Sequence, residues 1–150
     1  LGADVPFFLG GGHAWVEGIG GQLTPLALPP GRFLVLRPPA GLPTARIFSH
    51  PGLRRDTKSA TLAGFAADPY GFGRNDLQPV AEALCPEVTQ ALEWLAAADL
   101  RGRMTGSGSA VFAPLPSGRV SPGPVPAGWQ ARVCGNVASH PLQGWAGSDE

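Results

Sequence analysis

The sequence is short of the residues that disulfide-stabilised, zinc-binding and membrane-spanning proteins need. Its 150 residues include two cysteines, Cys85 and Cys134, both in apolar surroundings. This predicts reduced, buried thiols and argues against a disulfide framework or a zinc site, and we expect no protein-held metal site. No apolar run approaches the length of a membrane span, and no secretory signal opens the sequence. We therefore expect a soluble, cytoplasmic protein with no membrane partner.

The sequence also lacks an excess of charge of either sign. It has 11 lysine and arginine residues against 11 aspartate and glutamate residues, with no long basic run. This balance argues against a surface that binds nucleic acid or anionic lipid. The nearest approach to a basic cluster is Arg54, Arg55 and Lys58, which predicts a solvated turn unless a phosphate-bearing ligand lies nearby.

Glycine and proline, by contrast, are plentiful. The 22 glycines and 17 prolines stand among aliphatic residues that are spread throughout, so we expect many loops in a folded protein rather than disorder. Pro29-Pro30-Gly31 is the best candidate for a domain boundary. The first residue is Leu1, inside a segment with the pattern of a packed element, and we interpret the chain as a fragment.

Strand and helix patterns alternate along the chain and predict the α+β class. The apolar run at 32–37 predicts a central strand buried on both faces. Pro86 opens a helix to Ala98, in which Val88, Leu92 and Leu95 recur at helical spacing. The other predicted elements are a turn or short helix at 5–9, strands at 13–18, 22–28 and 129–137, helices at 44–48, 58–67 and 75–84 with Thr44 and Asn75 or Asp76 as caps, a loop at 114–128 and a polar tail from Ser139.

The stretch at 103–113, Arg-Met-Thr-Gly-Ser-Gly-Ser-Ala-Val-Phe-Ala, predicts two strands joined by a glycine turn. Gly106 and Gly108 allow the backbone to adopt positive φ and to approach another group closely. One interpretation is a plain β-hairpin connection, and the other is a turn that lies against a bound ligand.

Asp4 lies between glycine and proline turns, ahead of the apolar run at 5–9. Taken alone, it predicts a turn-former or a helix cap. A carboxylate near a helix start could instead deprotonate a hydroxyl or take part in binding a metal beside phosphate. With two glycine-rich segments, it suits phosphoryl transfer, in which positioning and charge neutralisation supply most of the catalysis.

Several stretches together resemble one family, the GHMP kinases. They are Leu-Gly-Ala-Asp-Val-Pro at 1–6, Glu-Gly at 17–18, Pro-Thr-Ala-Arg-Ile-Phe at 43–48, Asn-Asp-Leu at 75–77, the glycine turn at 104–113 and the closing stretch at 133–141. These landmarks fall in the family's order along nearly the whole chain. The resemblance implies a two-domain fold, in which residues 1–31 end the N-terminal domain and residues 32–150 form a ferredoxin-like C-terminal domain.

The resemblance also implies an activity, the transfer of the γ-phosphoryl group of ATP, with Mg²⁺, to an alcohol. Within the family, the stretch at 43–48 favours a small-molecule substrate of the non-mevalonate isoprenoid (terpenoid) pathway. That substrate is 4-diphosphocytidyl-2-C-methyl-D-erythritol, phosphorylated on its 2-hydroxyl. Two other interpretations stay open: a kinase for another alcohol, such as homoserine or mevalonate, and a non-catalytic binding domain of the same fold.

Site residues are carried over by the same resemblance. Asp4 matches the catalytic base, and Ile19, Thr44 and Phe48 match substrate-binding positions. A stacking wall for a flat base is one interpretation of Phe48, and an ordinary core position is the other. The residues of the glycine turn match the third GHMP motif, which supports the phosphate-binding loop and the substrate; they are Thr105, Gly106, Ser107 and Gly108.

Two family features are missing from these residues. The lysine motif and the glycine-rich phosphate loop of the family belong before residue 1. We therefore expect little or no ATP binding, and no activity, from the 150 residues alone. The family usually has a helix where this sequence predicts the loop at 114–128. The choice between a monomer and a homodimer stays open.

Overall fold

Two units make up the part of the chain that the structure describes, residues 4–119 and 123–139 of a computed structural model. The first unit contains the described residues up to Pro30 and those from Asn136 on, and the second is Gly31–Gly135. The polar tail predicted from Ser139 lies, after that residue, outside the described part. The assignment of 1–31 and 32–150 to two kinase domains stays a prediction.

The first unit contains a short helix and a β-hairpin. Helix α1 (Val5–Gly10) ends where Gly11 adopts a φ of 70°, a left-handed conformation that glycine takes without steric cost. Strands β1 (Ala14–Glu17) and β2 (Gln22–Pro25) pair antiparallel. The predicted short helix and hairpin are confirmed.

A four-stranded antiparallel sheet forms the frame of the second unit. Its strands are β3 (Arg32–Arg37), β4 (Arg103–Met104), β5 (Val111–Pro114) and β6 (Gln130–Gly135). Their order in space is β4-β5-β3-β6, so the first strand of the unit lies between the third and the fourth. This is the strand order of a ferredoxin-like sheet, and the predicted α+β class is confirmed.

Helices connect β3 to β4. They are α2 (Thr44–Phe48), α3 (Leu62–Ala67), α4 (Gln78–Leu84) and α5 (Pro86–Ala97). Helix α4 stops because Cys85 precedes a proline and takes an extended conformation, with φ of −145°. No helix in the described residues is both long enough and apolar enough to cross a bilayer. Between β5 and β6, the described residues 115–119 and 123–129 contain no helix, as the sequence predicts.

The core of the second unit lies between one face of the sheet and helices α4 and α5. Val88 and Leu95 of α5 are fully buried, as predicted from their spacing, and Leu92 packs partly buried against the same core. The sheet contributes a matching set of buried side chains, which are Leu34, Leu36, Met104, Val111 and Ala113.

Strand β3 is central, but only one of its faces is fully buried. Leu34 and Leu36 are buried, whereas Phe33 and Val35 are partly exposed. The prediction of burial on both faces is wrong because the helical layer covers only the face of Leu34 and Leu36. On the other face, Phe33 makes an edge-to-face contact with Tyr70, at 5.1 Å between ring centroids.

Helix α3 begins later than predicted, at Leu62 rather than at Lys58. Thr61 takes an extended conformation, and its hydroxyl accepts a hydrogen bond from the N–H of Gly64 at 3.1 Å. A threonine side chain that satisfies a free N–H of the first turn is a helix N-cap, and it defines the start of the helix.

The two cysteines differ in environment. Cys85 is buried, but Cys134 is exposed, so the prediction of two buried thiols is wrong for Cys134. The reason is that β6 is an edge strand, and most of its side chains face solvent. Burial raises the pKa of the Cys85 thiol, and a hydrogen bond from Sγ to Oε2 of Glu87, 3.3 Å long, raises it further.

The first prediction concerns the core. Leu36→Ala is expected to lower the free energy of unfolding by about 2–5 kcal/mol, because Leu36 is 0% exposed on the central strand. Urea denaturation followed by circular dichroism measures the change. The matched control is Leu62→Ala, at a position that is 39% exposed, with an expected loss of about 1 kcal/mol or less. Equal losses at the two positions would contradict the core described here.

The second prediction concerns the thiols. At pH 7.5, iodoacetamide is expected to label Cys134 at least about tenfold faster than Cys85. The reagent reacts with the thiolate, and the raised pKa of Cys85 lowers the fraction of its thiol in that form, while burial limits access of the reagent. Mass spectrometry of peptides taken at successive times measures both rates. In urea the difference should vanish, and a difference that persists there would show that the fold is not its cause.

Candidate functional site

The glycine turn lies between the edge strand β4 and strand β5. Inside it, the N–H of Thr105 donates to the carbonyl of Ala110 at 3.0 Å, and the N–H of Gly108 donates to the carbonyl of Thr105 at 3.1 Å. Gly106 and Gly108 have φ of 55° and 84°, which other residues rarely adopt. The predicted pair of strands joined by a glycine turn is confirmed.

The two glycines differ in what surrounds them. A Cβ atom on Gly108 would lie 2.7 Å from Sδ of Met104, a buried side chain, so the packing leaves no room there for a larger residue. A Cβ atom on Gly106 would meet no atom within 4 Å. Packing within the unit therefore requires Gly108, whereas Gly106 leaves open space beside the backbone.

Hydroxyl groups join the turn by hydrogen bonds to the segment that follows β3. The hydroxyls of Thr44 and Ser107 are 2.8 Å apart and share a hydrogen bond. Ser109, only 6% exposed, donates to the carbonyl of Ala40 at 2.6 Å. The structure thus brings together Thr44 and the glycine turn, which the sequence predicted as separate parts of one site.

Thr44 does not cap α2. Pro43 is the N-cap residue, no side-chain capping bond is made, and Thr44 is the first residue of the helix. The predicted capping role of Thr44 is therefore wrong, because the helix begins one residue earlier than predicted, and the hydroxyl of Thr44 contacts the turn.

Asn75 is the residue of this region whose role the sequence did not indicate. Its side-chain Nδ2 donates to the carbonyls of Gly106, at 2.7 Å, and of Met104, at 3.1 Å. Its Oδ1 accepts from the N–H of Leu77 at 3.0 Å, in the turn ahead of α4, whose N-cap residue is Leu77. The capping role predicted for Asn75 or Asp76 is wrong, because α4 begins at Gln78 and its N-cap residue is Leu77. An Asn-Asp-Leu stretch before a helix carries no signal of a contact made 31 residues away.

Phe48 lies at the end of α2 with its ring half exposed. Its exposed fraction is 52%, whereas the neighbouring Ile47 is fully buried. The interpretation of Phe48 as an ordinary core position is therefore wrong. An exposed aromatic ring is free to stack on a flat ligand, and this role stays a prediction.

Asp4 and Ile19 belong to the first unit. Asp4 is exposed and precedes α1, but its carboxylate makes no capping hydrogen bond, so the helix-cap interpretation is wrong for its side chain. Ile19 lies in the β1–β2 turn and is 92% exposed. Both side chains are open to solvent, and their predicted roles stay predictions.

The basic residues between α2 and α3 form an exposed segment. Arg54 pairs with Asp56 at 3.4 Å between Nε and Oδ1, with both side chains largely in solvent. Arg55 donates through Nη2 to the carbonyl of Phe48 at 2.5 Å, and Lys58 is exposed. These contacts support the prediction of a solvated segment.

A cavity of about 910 Å³ lies elsewhere in the second unit. Asn75 lines it together with Tyr70, Arg74 and Arg103, but Thr44, Phe48 and the glycine turn do not. Arg103 donates to the carbonyls of Tyr70 and Phe72, and burial lowers the pKa of its guanidinium. These bonds join the loop before α4 to strand β4, so Arg103 contributes to the fold of this region.

The described residues contain no group of three or more histidine, cysteine, aspartate or glutamate side chains that could hold a metal ion. Comparison with known families matches residues 58–121 to the family described as GHMP kinases C terminal. The chain contains a GHMP kinase C-terminal domain. The matched range of this domain includes Asn75 and the glycine turn, and the resemblance seen in the sequence is confirmed.

The chain that carries this GHMP kinase C-terminal domain is similar to individual kinases. One is 4-diphosphocytidyl-2-C-methyl-D-erythritol kinase from Polaromonas sp. strain JS666, at 62% identity over 97% of this chain and 49% of the relative. The kinase of the same name from Albidiferax ferrireducens is 61% identical over 99% of this chain and 52% of the relative. The chain spans about half the length of the curated relatives it matches.

A solved structure shows the same likeness. It is the crystal structure of 4-(cytidine 5'-diphospho)-2C-methyl-D-erythritol kinase, which matches with a TM-score of 0.61 and 35% identity. The match covers 75% of this chain and 44% of that one. The GHMP kinase C-terminal domain is therefore supported by a similar fold as well as by sequence.

The third prediction separates the two glycines of the turn. Gly106→Ala is expected to cost about 1–2 kcal/mol of stability, the usual cost of a left-handed conformation for a residue with a Cβ atom. Gly108→Ala should cost at least about 1 kcal/mol more, because the added methyl overlaps Met104. Urea denaturation of both variants measures the difference, and equal losses would contradict the packing of Gly108 against Met104.

Proposed function

We propose that this chain is part of an ATP-dependent kinase that phosphorylates the 2-hydroxyl of 4-diphosphocytidyl-2-C-methyl-D-erythritol, in the non-mevalonate isoprenoid pathway. One observation carries the proposal: over 97% of its length, the chain is 62% identical to a kinase named for this substrate. We further propose that residues 1–31 end its N-terminal domain and that residues 32–150 are its C-terminal domain.

In this proposal, Asp4 is the catalytic base that accepts the proton of the attacking hydroxyl. The exposure of Asp4 supports this role. Because its carboxylate makes no capping bond at the start of α1, it is available to a ligand. General bases of this kind contribute about 10²- to 10⁴-fold to a rate.

The substrate is bound by three residues, Thr44, Phe48 and Ile19. The half-exposed ring of Phe48 suits stacking on the cytosine base, and Ile19 offers a backbone contact in an exposed turn. The glycine turn, Thr105 to Gly108, lies against the bound substrate, which fits the open space beside Gly106.

The proposal includes ATP with Mg²⁺ as the phosphoryl donor. Mg²⁺ in such sites is usually held by one or two carboxylates together with substrate phosphates. We expect little or no ATP binding by the 150 residues alone, because the family's glycine-rich phosphate loop is not among them.

The fourth prediction tests the proposed function. In a chimera, this chain replaces the aligned half of the Polaromonas sp. kinase, and ADP release is measured with the cytidyl substrate, homoserine and mevalonate. We expect release with the cytidyl substrate only, and none from the 150-residue chain alone. Asp4→Asn in the chimera should lower kcat by about 10²- to 10⁴-fold without loss of folding, because the base is removed.

The control is Asp56→Asn, which removes an exposed carboxylate paired with Arg54 and should leave kcat within about twofold. Release with homoserine or mevalonate would replace the proposed substrate. A folded chimera without any activity would favour a non-catalytic domain, and unfolding of the Asp4→Asn variant would assign Asp4 to the turn.

A further inference from the structure

We propose that Asn75 is a positioning residue of the glycine turn, which it helps to hold in the conformation required for phosphoryl transfer. The inference rests on the proposed function, because that function places the turn against the substrate. It starts from one side chain that reaches both the turn and the strand before it: Nδ2 of Asn75 donates to the carbonyls of Gly106 and Met104.

The turn needs such a contact because its own backbone has unusual freedom. Glycine samples positive and negative φ with similar ease, so Gly106 by itself selects no single conformation. The space beside Gly106 is open, and packing does not hold that residue. The 2.7 Å bond from Asn75 acts on the carbonyl of Gly106, where steric restraint is weakest.

Asn75 is itself well held. Its Oδ1 accepts from the N–H of Leu77 while its Nδ2 donates to two carbonyls, so all three partners agree on one orientation of the amide. Leu77 is the N-cap residue of α4, which belongs to the helical layer on the core. The turn is therefore tied to the start of α4.

Gln78 provides a natural comparison. Its Oε1 accepts from the N–H of Met104 at 2.8 Å, and its Nε2 donates to Oε1 of Glu82 at 2.9 Å. Gln78 thus holds the edge strand at Met104, whereas Asn75 holds both the strand and the turn. A variant of each residue separates support of the strand from positioning of the turn.

The fifth prediction is measured first in the 150-residue chain, by amide hydrogen exchange. Asn75→Asp keeps the acceptor for the N–H of Leu77 but places carboxylate oxygens against the two carbonyls. Exchange at the N–H of Gly108, which bonds to the carbonyl of Thr105, should become about tenfold faster, while the amides of β3 keep their rates. The control variant is Asp76→Asn, which neutralises a carboxylate paired with Arg74. It should leave exchange at Gly108 and in β3 unchanged.

The second measurement is kinetic and uses the chimera. Asn75→Asp should lower kcat by about tenfold to a hundredfold, because small misplacements of groups at a reacting centre are costly. The KM for the cytidyl substrate should change by less than about threefold, since Asn75 is not among the proposed substrate-binding residues. Gln78→Met should change kcat by less than about threefold.

Each outcome decides the proposal. The proposal is overturned if Asn75→Asp leaves hydrogen exchange at Gly108 unchanged. It is also overturned if Gln78→Met lowers kcat as much as Asn75→Asp does. If Asn75→Asp does not fold, Asn75→Ser is used, since serine can still accept from Leu77 but is too short to reach Gly106. Unfolding of both variants overturns the proposal as well, because Asn75 would then serve the whole unit. A folded but inactive wild-type chimera refutes the proposed function, and exchange at Gly108 still shows whether Asn75 holds the turn.

Discussion

The antiparallel pairing of β3 with both β5 and β6 is the constraint on which the rest of the second unit depends. It sets Leu34 opposite Ala113 and Val133, and Leu36 opposite Val111 and Ala131. Because side chains alternate along a strand, a shift of one residue would turn the buried leucines toward the opposite face. The register therefore determines which face receives α4 and α5, and where the hairpin with the glycine turn projects.

The glycine turn combines two requirements that the sequence alone presents as alternatives. It is a β-hairpin connection, since it joins β4 to β5 with backbone hydrogen bonds of its own. It is also tied by side chains to three distant positions, Ala40, Thr44 and Asn75. An ordinary connection needs no such ties, and their number indicates a turn whose conformation matters. The proposed role in phosphoryl transfer gives a reason for that rigidity.

Much of the fold could be predicted because it depends on local rules. Pro86 opens a helix, Val88 and Leu95 repeat at helical spacing, and the apolar run at 32–37 forms a strand. The predictions that failed depend on distant partners. The hydroxyl of Thr44 is hydrogen-bonded to that of Ser107. Cys134 is exposed because its strand lies at the edge of the sheet. Neither the partner nor the edge can be read from residues close in sequence.

Sequence patterns were enough to predict the class of the fold, the glycine turn and the family resemblance, because these depend on periodicity, on backbone freedom at glycine and on motifs in a given order. The packing of Gly108, the exposure of Phe48 and the contact of Asn75 with the turn became known from the fold alone. Hydrogen bonds that join residues 31 or 63 positions apart in the chain form only once the sheet has set its register.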